Sequence, residues 1–134
     1  MDARIAYRQT DARGATSLRL VVLLYEQIIH DLRQASLAID QNNIELRTKR
    51  INHALDVICL LQATLNLERG GQVAQNLVRF YDTVRANLCE AQFQASKELL
   101  ARQITDLLTV REAWEQVERL QGANPISEMI QQAK

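Results

Sequence analysis

Residues 18–40 read LRLVVLLYEQIIHDLRQASLAID. Leu18, Val22, Tyr25, Ile29, Leu32, Ser36 and Ile39 recur at steps of three and four, which places them on one face of an α-helix. Thr16 or Ser17 supplies a capping hydroxyl at the start, and Asp40-Gln41-Asn42-Asn43 is a polar break at the end. The pattern then repeats three times. From about Ile44 to Glu68 the stripe is Ile44, Thr48, Ile51, Leu55, Ile58, Gln62 and Leu65, with Asn43 expected as N-cap and Gly70 as a left-handed C-cap residue. From about Gln72 to Gln94 it is Val73, Leu77, Phe80, Val84, Leu88 and Ala91. From about Lys97 to Gln121, after a Ser96 cap, it is Leu100, Ile104, Leu107, Trp114 and Val117.

Four segments of near-equal length joined by short links must fold back on one another. Each is roughly 35 Å long at 1.5 Å per residue, so the expected fold is all-α, an antiparallel up-down-up-down four-helix bundle. Gly14 closes a polar N-terminal arm, and Gly122, Asn124 and Pro125 end the ordered body. The expected organisation is an arm over residues 1–16, a bundle over 17–122 and a tail over 123–134, flexible or forming a short helix.

Composition narrows the function. The chain has 134 residues, 47% of them hydrophobic, which is enough for one domain with its own core. Four Gly and one Pro are too few for a β-sandwich or barrel. Sixteen basic against sixteen acidic residues leave no basic face for nucleic acid. No apolar run approaches the ~18 residues of a membrane span, and no secretory signal opens the chain, so a cytoplasmic protein without membrane insertion is expected. Cys59 and Cys89 show no metal or redox spacing and are expected to be small buried hydrophobes.

Enzyme chemistry is absent from the pattern. His30 and His53 lack ligand partners; Glu26 precedes His30 by four residues, where a di-iron bundle wants Glu three residues before His, twice. There is no phosphate-cradling glycine loop, GxSxG or HExxH, and Gly70-Gly71 follows no strand. No catalytic, cofactor or metal residues are assigned, and no cofactor is expected. His53 and Asp56 stand one turn apart and are expected to hydrogen-bond as surface decoration. Arg102–Asp106, Arg111–Glu115 and Glu115–Arg119 have the spacing of helical ion pairs.

What the core does not absorb is apolar surface. Leu18, Leu20, Val21, Val22, Leu23, Leu24, Tyr25, Ile28 and Ile29 surround the first half of helix 1. Val57, Leu60 and Leu61 lie off the helix 2 stripe or beside it, and Val78 and Tyr81 do the same near the start of helix 3. In an antiparallel bundle these stretches share one end with the C-terminal part of helix 4, while the other end reads as polar. A large apolar surplus marks a covered or partnered surface. Two covers are open: the arm, through Ile5 and Tyr7, or a partner helix laid in a groove.

Five strings then carry a resemblance. Ala6-Tyr7-Arg8-Gln9-Thr10, Leu20 to Glu26, Leu65 to Leu77 with its Glu68-Arg69-Gly70-Gly71, Phe80-Tyr81-Asp82, and Val110 to Trp114 are similar, in order and spacing, to motifs of the flagellar secretion chaperone FliS family. The resemblance implies a helical-bundle export chaperone that binds the disordered C-terminal segment of flagellin and helps present it to the flagellar export gate, with an arm able to cover part of the site when flagellin is absent. On this reading Leu20, Leu23, Leu24, Val57, Leu60, Leu61, Val78, Tyr81 and Trp114 line the groove, and Ile5 and Tyr7 cover it. The expected state is a monomer or weak homodimer. The alternative is a structural helical domain that homodimerises through its apolar end.

Overall fold

In a computed structural model, residues 6, 7 and 16–122 are described. Among them the chain forms four helices: α1 (Thr16–Asp40), α2 (Ile44–Ala63), α3 (Leu67–Gln94) and α4 (Lys97–Gly122). They make an antiparallel bundle in which neighbours in sequence are neighbours in space and α4 returns to α1. The tail over 123–134 lies outside the described residues, as do Ile5 and the rest of the arm apart from Ala6, Tyr7 and Thr16, the last of which opens α1.

Caps explain the short links. Asn43 accepts from the Leu46 N–H at 3.0 Å and opens α2. Ser96 Oγ accepts from the Leu99 N–H at 3.1 Å and opens α4. Each satisfies a donor that the first helical turn leaves free. Ala95 closes α3 in the left-handed conformation, φ 50° and ψ 50°.

The α2–α3 link departs from expectation. α2 does not run to Glu68 with Gly70 as its left-handed cap. It stops at Ala63, Asn66 caps a new helix by accepting from Arg69 N–H at 3.0 Å, and the positive φ of 54° falls on Gly71, inside α3. At that φ with ψ −130° only glycine is unstrained, so α3 kinks there. The early stop has a long-range cause: the Asn66 N–H donates to the carbonyl of Ala6 at 2.8 Å instead of continuing α2.

The core runs the length of the bundle through Tyr25, Ile28, Leu32, Ile51, Ile58, Leu61, Tyr81, Leu88, Leu100 and Leu107, all fully buried. Among the described residues one charge lies within it. Asp31 on α1 is fully buried and contacts His53 Nδ1 at 2.5 Å, Gln27 Nε2 at 3.1 Å and Arg50 at 3.4 Å. His53 therefore partners Asp31 across the α1–α2 seam, not Asp56 on its own helix, because α1 supplies a dry carboxylate at the right level. Of the three expected intrahelical ion pairs only Arg111–Glu115 forms, at 3.5 Å, and Arg111 also reaches Glu26 on α1 at 3.3 Å.

Three further expectations are corrected. Cys59 and Cys89 are exposed, since each sits one position past a buried core residue, Ile58 or Leu88, and is turned off the stripe. Ile44 is exposed because the first residue after a cap has nothing packed over it. The end expected to be polar carries exposed Leu37 and Phe93 as well as Ile44, with Phe93 86% accessible.

Asp31→Ala should destabilise the bundle by about 1–3 kcal/mol in urea denaturation, since three donors lose their buried acceptor. Asp56→Ala, on the exposed face, should stay within about 0.5 kcal/mol. Ala95→Gly should raise the unfolding free energy measured in urea by up to about 1 kcal/mol, by removing a left-handed non-glycine residue.

Candidate functional site

The crowded end contains two zones, and the register of the α1–α2 seam locates the first. Asp31 meets His53, so seven residues toward the crowded end in each chain direction Leu24 on α1 comes level with Leu60 on α2. Leu20 and Leu23 flank Leu24. Leu20 is 54%, Leu23 46% and Leu60 49% accessible, and Leu24 is half-buried. Leu67 and Leu120, exposed at the same end on α3 and α4, extend the apolar surface.

The second zone is interior. Val57, Leu61, Tyr81 and Trp114 are all buried, and the last three touch Tyr7. Val78 is half-buried on α3, where its carbonyl faces Gln62. The nine residues expected to line one groove thus divide between an open seam and a closed seat.

Two residues of the arm close that seat. Ala6 is fully buried and Tyr7 is 5% accessible. The Ala6 backbone lies against Gly70, close enough that a Cβ on that glycine would stand 3.1 Å from Ala6 Cα and 2.7 Å from Ala74 Cβ. Glycine is required here for close approach, since any side chain would force the arm or α3 outward. The Tyr7 ring meets the Trp114 ring edge-on, with centroids 5.4 Å apart.

The Tyr7 hydroxyl enters a chain of hydroxyls. Tyr7 donates to the Leu61 carbonyl at 3.2 Å and stands 2.7 Å from the Tyr81 hydroxyl, which is 2.5 Å from that of Tyr25. A hydroxyl donates one proton. With the Tyr7 proton committed to Leu61, the consistent direction is Tyr25 to Tyr81 to Tyr7 to the carbonyl. The buried Trp114 indole N–H makes no hydrogen bond of its own.

Burial opposes ionisation of all three phenols. It pushes the Tyr25 hydroxyl up to about 12, and it holds Tyr7 and Tyr81 above the usual 10.0, assisted by the charge each neighbour would carry. The folded state thus retains protons that the unfolded chain releases near 10, so stability falls as pH rises. Sequence reading placed Tyr7 over the apolar end and Tyr81 beneath it. It missed Tyr25 as a member of the chain, because Tyr25 fits the helix 1 core stripe and nothing local shows where its hydroxyl ends.

Among the described residues there is no group of three or more His, Cys, Asp or Glu placed to hold a metal. No helix among them is long and apolar enough to cross a membrane.

The linkage gives a test. Stability should be level up to about pH 9 and decline from pH 10 through 12, with tyrosinate absorbance appearing alongside loss of the folded signal. Tyr7→Phe should flatten part of that decline, because one of the coupled phenols is gone.

Comparison with known proteins gives a consistent picture. The family described as Flagellar protein FliS matches residues 1–121. The flagellar secretion chaperone FliS of Vibrio cholerae is 30% identical over 104 residues, 78% of this chain and 76% of that protein. Flagellar secretion chaperone FliSB of Pseudomonas aeruginosa is 33% identical over 119 residues, 86% of this chain and 94% of that one. The Bacillus subtilis flagellar secretion chaperone FliS is 27% identical over 111 residues, 83% and 82% of the two chains. A match spanning the arm, the Gly70-Gly71 kink and the helix that carries Trp114 leaves one conclusion: this chain belongs to the FliS family.

Proposed function

We propose that this protein is a cytoplasmic flagellar export chaperone that binds the disordered C-terminal segment of flagellin, keeps it from polymerising early and assists its delivery to the export gate. The role is one of binding, without a catalytic step. The observation that carries this reading is the seating of Ala6 and Tyr7. Two residues from outside the bundle fill a buried apolar seat through one backbone hydrogen bond, one phenol and ring packing. Such a cover is non-covalent and small, and it stands next to open leucines that it does not reach.

The mechanism follows from this juxtaposition. A cargo helix laid along Leu20, Leu23, Leu24 and Leu60 buries the part of each leucine that still faces water, at most half the side chain or so and worth about 1 kcal/mol apiece. Cargo that also enters the seat replaces Tyr7 over Leu61, Tyr81 and Trp114. Ordering a disordered segment costs several kcal/mol, so contact in both zones is needed for useful affinity. Flagellin segments then order on the chaperone instead of on each other.

Calorimetry with a flagellin C-terminal peptide should show binding with a negative heat-capacity change and weak dependence on salt. The double substitution Leu20→Asp, Leu60→Asp should weaken it at least about tenfold while leaving the urea midpoint nearly unchanged. Absence of binding, or affinity abolished by moderate salt, would overturn the reading. A stable dimer in sedimentation, unaffected by the peptide, would instead support the structural alternative.

A further inference from the structure

The seat of the arm is more selective than an apolar trough. Ala6 sits with its backbone on Gly70, its Cα 3.1 Å from where a glycine Cβ would be, and it has no exposed surface. A branched or long side chain there would have to displace the neighbours that bury Ala6 completely. The Ala6 carbonyl is held by the Asn66 N–H at 2.8 Å, which sets the height of the backbone. One residue further on, the seat widens into a ring-sized well walled by Trp114 and floored by polar atoms, the Tyr81 hydroxyl and the Leu61 carbonyl.

We propose that this seat recognises a residue pair, a small residue followed by tyrosine with the intervening carbonyl on Asn66, and that a partner chain displaces the arm by presenting such a pair of its own. This rests on the arm being a displaceable cover and adds the chemistry of what replaces it.

The hydroxyl chain supplies the selectivity. Tyr25, Tyr81 and Tyr7 pass three protons along one line that ends on the Leu61 carbonyl. Without a hydroxyl at the Tyr7 position, one O–H in a dry pocket is left with no acceptor, whichever way Tyr25 and Tyr81 turn. An occupant of the right volume without that oxygen, such as phenylalanine, fills the well but strands the proton. Leaving a buried donor unpaired costs more than the net value of a made bond. At the preceding position the complete burial of Ala6, with its backbone against Gly70, favours a small side chain.

The test uses the full-length chain carrying Ala6→Asp and Tyr7→Gly, which unseats its own pair, with Trp114 as the only tryptophan and hence the reporter. Helical circular dichroism and a melt check that this variant is folded. A short blocked peptide containing Ala-Tyr should return Trp114 emission toward that of the natural chain. An Ala-Phe peptide should bind about tenfold more weakly, and a Val-Tyr peptide more weakly still.

Equal binding of the three peptides, or binding of none, would overturn the proposal. If the variant does not fold, the same peptides are ranked on the natural chain against its own arm, which requires higher peptide concentrations because the arm competes intramolecularly. The same order supports pair recognition and an unranked series overturns it. A flagellin C-terminal fragment, run in parallel on the natural chain, separates the two ideas. Fragment binding with unranked peptides removes pair recognition and leaves the flagellin reading. Ranked peptides with no fragment binding keep pair recognition and remove flagellin as the partner.

Discussion

Three phenol hydroxyls meet in a pocket from which water is excluded, and together they reach a single carbonyl. Tyr25 comes from α1, Tyr81 from α3, Tyr7 from the arm, and the Leu61 carbonyl from α2. An unpaired hydroxyl in such a place is costly, so each tyrosine depends on the next. This polar line joins the arm to the bundle together with the backbone bond from the Asn66 N–H to the Ala6 carbonyl. Apolar packing alone would let any greasy residue rest there; the hydroxyl chain requires a particular one.

The same end of the molecule holds both a satisfied and an unsatisfied surface. Under the arm, Leu61, Tyr81 and Trp114 are sealed. Beside it, Leu20, Leu23 and Leu60 remain in water. A chaperone needs this division. A fully open apolar end invites self-association, and a fully closed one offers cargo no first contact. The glycine at position 70 permits the seal, because only a residue without a side chain lets Ala6 approach α3 so closely. Gly71 then takes the positive φ at which α3 kinks.

Much of the bundle is legible along the chain. The 3.6-residue stripes, the capping Asn43 and Ser96, and the polar break at 41–43 are local signals, each read from a few neighbouring residues. They fail where a distant residue intervenes. Asn66, Gly70 and Gly71 look like the end of one helix until Ala6 takes the Asn66 N–H, and then they become the start of another. His53 looks like the partner of Asp56 until α1 brings a buried Asp31 within reach. Cys59 and Cys89 look apolar by type, yet one step of 100° around the helix turns them outward.

The sequence by itself determined that this protein is a four-helix bundle with more apolar surface at one end than a core requires, because helical periodicity and hydrophobic count are properties of the chain read in order. It also carries the motifs of the family to which the chain belongs. Only the tertiary structure decided which of those apolar residues are open and which are covered. It likewise decided that three tyrosines separated by 18 and 56 positions share one line of hydrogen bonds. Which side chains meet depends on the rotation and register of packed helices, and these are settled by all four packing together, not by any one segment.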